Sequence, residues 1–185
     1  MRDFKNINDF MNYVAREFFK KKGVHRYRTV KIEDMSDDRV FKACHWYCSE
    51  NNLLDEYNAF YSQQINKQNA KEYIGKTIEV TIDRPLGSYH PEHQQLVYPI
   101  NYGFFEDLYA PDDEPQDVYV LGVYEPISSF TGKVIAIIHR LNDIEDKWVV
   151  APEEYTFSKE DIIEATAFQE KYFEIEIKMQ EDFCE

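Results

Sequence analysis

The sequence predicts an α+β protein, in which a small closed antiparallel β-barrel with a C-terminal helix follows an α-helical N-terminal segment. Before residue 75, apolar residues recur at three- and four-residue steps, the period of amphipathic helices. After residue 75 the apolar runs become short and rich in β-branched residues, and Pro and Gly separate them, which favours a small barrel. We therefore predict a helical extension at residues 1–74 and a barrel domain at residues 75–185.

Three helices are predicted in the N-terminal segment. The first covers residues 8–22, where the apolar side chains share one face and Gly23 follows as a stop. A second begins near Ser36, a residue type that caps helix N-termini, and a third begins near Leu53. The stretch 63–71, rich in Gln, Asn and Lys, is predicted to be a linker or the end of the third helix.

The barrel domain is predicted from short strands and one closing helix. The predicted strands are Lys76–Asp83, Leu96–Tyr98, Val118–Val123, Val134–Ile138 and Trp148–Ala151. Ser158 and Asp161 have the spacing of a helix cap, and the apolar positions that follow extend the predicted helix to Ile175.

The charge distribution excludes one class of partner. The net charge is −14, but residues 1–74 carry 13 Lys and Arg against 11 Asp and Glu, so the excess acid lies in residues 75–185. An acidic domain without a basic stripe argues against nucleic acid as a partner.

The longest apolar runs are too short to span a membrane, and no signal peptide is visible. Three cysteines, an odd number, form no disulfide framework, and we expect a cytoplasmic protein.

Two acidic segments are the candidate functional site. Residues 112–117 and 143–147 together contain seven acids, and each segment borders an apolar run. A single acidic turn is usually a solvated loop, but two such segments beside strands favour a site. Carboxylates without a supporting Cys or His select hard cations such as Mg²⁺ or Mn²⁺, and such cations usually hold a phosphate. Lys147 could reach a phosphate oxygen beside them.

The tyrosines of Tyr98-Pro-Ile-Asn-Tyr-Gly-Phe104 have two interpretations. Both residues, Tyr98 and Tyr102, could be part of the barrel core. For Tyr102 a hydroxyl group that donates to a phosphate is the better interpretation, because Gly103 lets the backbone pass close to a ligand.

The order of these motifs, with a late helix that carries Tyr172, resembles the soluble family I inorganic pyrophosphatases over roughly residues 75–180. The resemblance implies an OB-like barrel and a homo-oligomer. It also implies hydrolysis of inorganic pyrophosphate to two phosphates by water that Mg²⁺ activates, with Mn²⁺ or Co²⁺ as substitutes. No membrane partner is expected.

The resemblance also implies roles for individual residues. The metal ligands would be Asp112, Asp117, Asp143 and Asp146, with Glu145 as an alternative. Glu114 would take the proton from the attacking water, and it acts in the predicted catalytic set with Asp117, Lys147 and Tyr102. The substrate would contact Arg84, His90, Tyr98, Tyr102, Lys147 and Tyr172.

Three departures from the family pattern keep other functions open. Glu114 stands where the family has Asp, Phe173 stands where it has a phosphate-binding Lys, and the segment 87–98 is short for a hairpin that brings cations to the substrate. A degenerate sensor of phosphate or metal, or a hydrolase of another phosphate compound, is therefore an alternative. The helical extension would be a packing appendage, an oligomerisation element or a lid.

Overall fold

The computed structural model of the chain describes residues 7–91, 93 and 95–183. Cys184 lies outside these residues. The chain forms two compact units that divide between Tyr61 and Ser62. None of the helices in the described part is long and apolar enough to cross a membrane. The predicted domain boundary between residues 74 and 75 stays a prediction.

The first unit is helical, as the sequence predicts. Helix α1 spans Ile7–Lys21, helix α2 spans Asp37–Glu50, and helix α3, Leu54–Tyr73, begins in this unit. Val14 of α1 packs against Cys44 and Cys48 of α2, and both thiols are buried and free. The apolar periodicity of the two helices is thus explained by the face that each presents to the other.

Of the two predictions for residues 63–71, the linker is wrong and the end of the third helix is right, because α3 continues through this stretch to Tyr73. Gln and Lys are good helix formers, and nothing in the stretch breaks a helix. Its buried residues Ser62, Asn66 and Ala70 recur every four residues, which is helical spacing. Two of the three are polar, so a search for apolar periodicity misses this face.

The second unit contains a closed ring of five strands, which confirms the predicted closure of the sheet. The strands are β1 (Thr77–Arg84), β2 (Asn101–Tyr109), β3 (Pro115–Val120), β4 (Ser129–Arg140), β5 (Lys147–Ala151) and β6 (Ile175–Met179). The ring order is β1-β2-β3-β5-β4, and pairing of β1 with β4 closes it. β6 adds to β4 outside the ring. The pairing of β3 with β5 is parallel, whereas the other pairings are antiparallel.

Two strands differ from the sequence prediction. Strand β2 begins at Asn101, after the predicted strand at 96–98, where the described residues form an isolated bridge between Tyr89 and Val97. A Cβ on Gly103 would lie 1.9 Å from the Thr81 carbonyl oxygen, so this glycine permits close contact of β2 with β1. Strand β6 begins at Ile175, a residue that the sequence places in the last helix.

Helix α4 spans Lys159–Glu170, and its predicted N-terminus is confirmed. The Ser158 hydroxyl accepts a hydrogen bond from the Asp161 backbone N–H, while the Asp161 carboxylate accepts one from the Ser158 N–H. This reciprocal capping satisfies two donors at the end of the helix. Ile162 of α4 packs against the sheet.

Alternation along the strands separates the ring into two apolar layers. Val118 and Trp148 belong to one layer, while Tyr119 and Val149 belong to the other, which α4 covers. Successive side chains of a strand point to opposite faces, so this alternation also decides which neighbouring polar residues can meet.

Candidate functional site

The centre of the candidate site is the buried ammonium group of Lys147. It donates to the Asp117 carboxylate and to Glu145 Oε2, the latter at 2.5 Å. Strands β3 and β5 lie side by side in parallel, with Val118 opposite Trp148, so the residues immediately before them become neighbours. Glu145 precedes Lys147 by two positions and therefore shares its face.

A phenol lies beside this charged group. Tyr102 is buried, and its pKa is raised well above its usual value by burial and by the negative charges of Asp117 and Glu145. Its hydroxyl group therefore stays protonated at neutral pH and can donate a hydrogen bond. The Tyr98 ring packs against Tyr102, with 5.4 Å between the ring centroids.

An ion pair from the end of β1 borders the same site. Arg84 Nη1 contacts Asp83 Oδ2 at 2.7 Å. Burial raises the pKa of Asp83, and Asp117 raises it further, while Arg84 opposes the shift. The charges of Arg84, Asp83 and Asp117 also act on the pKa of Tyr98, which burial raises. The site thus combines three carboxylates, Asp83, Asp117 and Glu145, with two cations, Arg84 and Lys147, for a formal charge of −1.

Glu145 is the most perturbed carboxyl group of this site. Burial raises its pKa to about 8, and the nearby Asp117 raises it as well, although Lys147 lowers it. A carboxyl group with such a pKa binds a proton near neutral pH, where an exposed glutamate is ionised. Glu145 and Asp117 together therefore carry less than two negative charges near neutral pH.

This pKa shift predicts how stability depends on pH in protein without metal. The pKa of Glu145 is about 8 in the folded protein and 4.5 ordinarily, so the folded protein binds this proton more tightly. The stabilisation that results is complete below about pH 4.5 and is lost as pH rises through 8. We expect wild-type Tm to fall more between pH 5 and pH 8.5 than the Tm of Glu145→Gln. Each kcal/mol corresponds to roughly 2–4 °C.

Thermal unfolding in EDTA at several pH values measures this difference. Glu164→Gln, which changes an exposed carboxyl group on α4, is the control and should keep the wild-type pH dependence. The same pH dependence in Glu145→Gln as in the wild type would contradict the assigned burial of Glu145.

Asp146 lies on the opposite face from Lys147 and does not join the site. Its Oδ1 lies 2.7 Å from His139 Nδ1, and this contact raises the pKa of His139. Both residues line a cavity of about 420 Å³ that Lys67 and Lys178 also line. Asp146 is separated from Lys147 because successive side chains alternate between faces, so Glu145 and Lys147 point to one face and Asp146 points to the other.

Asp143 is held by a separate buried ion pair. Arg140 Nη1 donates to Asp143 Oδ2 at 3.0 Å, while Nη2 and Nε donate to the two carboxylate oxygens of Glu170 at 2.6 and 2.9 Å. Tyr119 donates to the same carboxylate at 2.5 Å. The Phe173 ring covers the guanidinium group, whose carbon lies 3.6 Å from the ring centroid.

The turn before β3 carries the other two predicted acids. Asp112 and Glu114 are both exposed, and Asp112 Oδ1 accepts a hydrogen bond from the Glu114 backbone N–H at 3.1 Å. Asp113 between them has a φ of 66°, in the left-handed region. This turn places Asp112 and Glu114 outside the buried group around Lys147, and their roles stay predictions.

The remaining predicted substrate residues lie at different distances from the centre. The His90 ring stacks on Tyr98, with a centroid separation of 6.1 Å and an angle of 7°. It is carried by a short hairpin in which His90 N donates to the Leu96 carbonyl at 2.9 Å. Tyr172 is 69% exposed after the end of α4, and Lys171 lies over its ring.

The donor set partly fits a hard divalent cation. The described residues offer no group of three or more His, Cys, Asp or Glu side chains arranged for a metal ion. However, Mg²⁺ at phosphate sites commonly takes only one or two carboxylates, together with water and phosphate oxygens. Asp117 and Glu145 supply two carboxyl groups at one place, both in contact with Lys147.

Sequence reasoning missed three polar residues in this region. Gln116, Arg140 and Glu170 are buried, and each makes hydrogen bonds around the site loops. Arg140 and Gln116 lie in or beside apolar strand runs, where the sequence predicts core. A polar residue within such a run is a signal for a buried partner, but the partner Glu170 is thirty positions away on α4.

The family model for inorganic pyrophosphatase matches residues 63–174. An inorganic pyrophosphatase of Saccharolobus solfataricus is 32% identical over 100 residues, covering 52% of this chain and 55% of the relative. The chain therefore spans about half the length of this curated relative.

Similar solved structures include two inorganic pyrophosphatases. The one from Ehrlichia chaffeensis has a TM-score of 0.47 and 20% identity, over 60% of this chain and 90% of that one. The one from Coxiella burnetii has a TM-score of 0.45 and 19% identity, over 57% of this chain and 88% of that one.

Proposed function

Because this chain belongs to the inorganic pyrophosphatase family, we propose that its second unit hydrolyses inorganic pyrophosphate to two phosphates at the site around Lys147. The observation that carries the proposal is the convergence of Lys147, Asp117 and Glu145 beside the protonated phenol of Tyr102. These groups offer both donors for phosphoryl oxygens and carboxylates for a cation. The exposed acids of the turn before β3 extend the site toward solvent.

The side chains of the site divide into donors and acceptors. Lys147 and Tyr102 would donate to phosphoryl oxygens, because both are hydrogen-bond donors in a buried site and burial holds the pKa of Tyr102 well above its usual value. Arg84 would add a third donor from the end of β1. Asp117 would orient Lys147 and accept hydrogen bonds from water, while Glu114 on the exposed turn would take the proton of the attacking water.

A divalent cation is proposed because the substrate is an anion and because Asp117 and Glu145 place two carboxyl groups beside each other. Asp117 and Glu145 would hold the ion, for which we propose Mg²⁺, with Mn²⁺ or Co²⁺ as substitutes. When bound, the ion would neutralise phosphoryl oxygens and lower the pKa of a water molecule. Further ligation by Asp112, Asp143 or Asp146 stays a prediction, as does assembly into a homo-oligomer.

Phosphate release from pyrophosphate by the pure protein tests this function. We expect release that depends on added Mg²⁺, Mn²⁺ or Co²⁺ and that excess EDTA abolishes, because the acidic site cannot accept the anion without a cation. A nucleoside triphosphate and a sugar phosphate in parallel reactions test the breadth of the substrate range. No phosphate release with any of these cations would reject hydrolysis.

A binding protein for pyrophosphate is the second candidate function. Tyr172 is largely exposed, and the Phe173 ring covers the Arg140 guanidinium group instead of supplying a cation of its own. Isothermal calorimetry separates the two functions. Tight binding of pyrophosphate with Mg²⁺, together with no phosphate release, would favour the binding protein.

A further inference from the structure

The backbone of the loop between β4 and β5 accepts hydrogen bonds from two side chains outside the loop. Glu145 and Lys147 point into the site, but the carbonyl groups of the residues before each of them point elsewhere. Asn66 Nδ2 donates to the Ile144 carbonyl at 2.9 Å, and Gln116 Nε2 donates to the Asp146 carbonyl at 2.7 Å. Two side-chain amides therefore fix the positions from which the two site residues extend.

Both amides are buried, where a polar side chain is costly unless it makes a hydrogen bond. Asn66 is 4% exposed and Gln116 is 1% exposed. Within the described part of the chain, Asn66 Oδ1 is buried and has no hydrogen-bond partner. A buried polar group without a partner costs about 1–3 kcal/mol, so a leucine of similar volume would suit helix packing at this position better. Among the described residues, the Asn66 side chain donates its hydrogen bond to the site loop.

Gln116 connects the two strands of the site. Its amide also donates to the Asp117 carbonyl at 3.2 Å, so one side chain contacts the backbone of Asp117 and that of the residue before Lys147. Gln116 itself stands between Pro115 and Asp117, with its side chain on the face opposite Asp117. It can thus fix the distance between the two charged residues without entering the site.

We propose that Asn66 and Gln116 form an amide clamp that positions Glu145 and Lys147 for the reaction. The proposal rests on the proposed function for its catalytic consequence, although the clamp itself is a property of the loop. It also gives the C-terminal half of α3 a role in the chemistry. Displacement of a catalytic group by about 1 Å can lower the rate about a hundredfold, so loss of one clamp bond should reduce turnover.

The test compares Asn66→Leu and Gln116→Met with a matched control. Thr166→Val is the control, because Thr166 is buried and its hydroxyl donates to the Ile162 carbonyl at 2.8 Å within α4. For each variant, kcat and KM for pyrophosphate, Tm, and hydrogen exchange of the peptide covering residues 141–148 are measured. The exchange measurement is made without metal or substrate and needs no activity.

We expect each clamp variant to lower kcat about tenfold or more, with KM changed less than about threefold, and to speed exchange in residues 141–148. Asn66→Leu should keep or raise the wild-type Tm, which separates positioning from a general loss of stability. Thr166→Val should leave kcat and the exchange of this peptide unchanged.

Two results would overturn the clamp. One is unchanged exchange of the peptide in both Asn66→Leu and Gln116→Met. The other is faster exchange with kcat unchanged in a wild-type protein that does hydrolyse pyrophosphate. If wild-type protein releases no phosphate, the proposed function fails, and the exchange measurement alone then decides whether the clamp holds the loop.

Discussion

Asp117→Asn should reduce phosphate release in the presence of Mg²⁺ by about 10²–10⁴-fold, the range for loss of a residue that acts on the proton or charge of the transition state. The Asp117 carboxylate accepts a hydrogen bond from Lys147, lies beside Tyr102, and shares the site with Glu145. The amide keeps the shape of the side chain but removes its charge. Both the orientation of Lys147 and the affinity for a cation should then decrease.

Steady-state phosphate release with Mg²⁺ measures this effect, and Tm shows whether the variant is folded. Asp107→Asn is the control, because Asp107 is an exposed acid on β2. The control should retain wild-type turnover. Turnover of Asp117→Asn within about threefold of wild type would remove Asp117 from the site.

Arg140→Met should lower the free energy of unfolding by about 3–5 kcal/mol, the usual effect of removing one partner from a buried ion pair. Arg140 is 4% exposed and Glu170 is 1% exposed, and the guanidinium group makes two hydrogen bonds to that carboxylate. Without Arg140, the charge of Glu170 is left among apolar residues with only Tyr119 as a strong donor. Methionine fills the volume, so the lost charge pairing dominates the effect.

Urea unfolding measures this loss. Lys178→Met is the control, because Lys178 pairs with Glu176 on β6 at 2.6 Å but both side chains are exposed, and such surface pairs contribute about 0–1 kcal/mol. The double variant Arg140→Met with Glu170→Met should recover most of the loss. Equal destabilisation by Arg140→Met and Lys178→Met would show that the pair is not buried in solution.

Local sequence signals predicted the parts of the fold that local contacts determine. The cap at Ser158 could be predicted because Ser158 and Asp161 satisfy each other within one helical turn. The continuation of α3 could not be predicted from apolar periodicity, because its buried face includes Asn66 and Ser62. Strand β6 was missed because Ile175 fits both the end of a helix and the start of a strand.

The site was predictable at Lys147 and less so in the loop before it. Motif spacing singled out Asp117 and Lys147, which the structure brings together. The choice between Glu145 and Asp146 depends on which face each side chain takes, and this in turn depends on where β5 begins. The pairing of Arg140 with Glu170 joins segments thirty residues apart, so no local pattern marks it.

The parallel pairing of β3 with β5 has a consequence for how the site arises during folding. Asp117 and Lys147 are thirty residues apart, and β4, which pairs with β5, lies between them in sequence. Such non-local pairings form late, because loop-closure entropy must be overcome first. We therefore expect the contact between Asp117 and Lys147 to form late in folding, together with closure of the sheet.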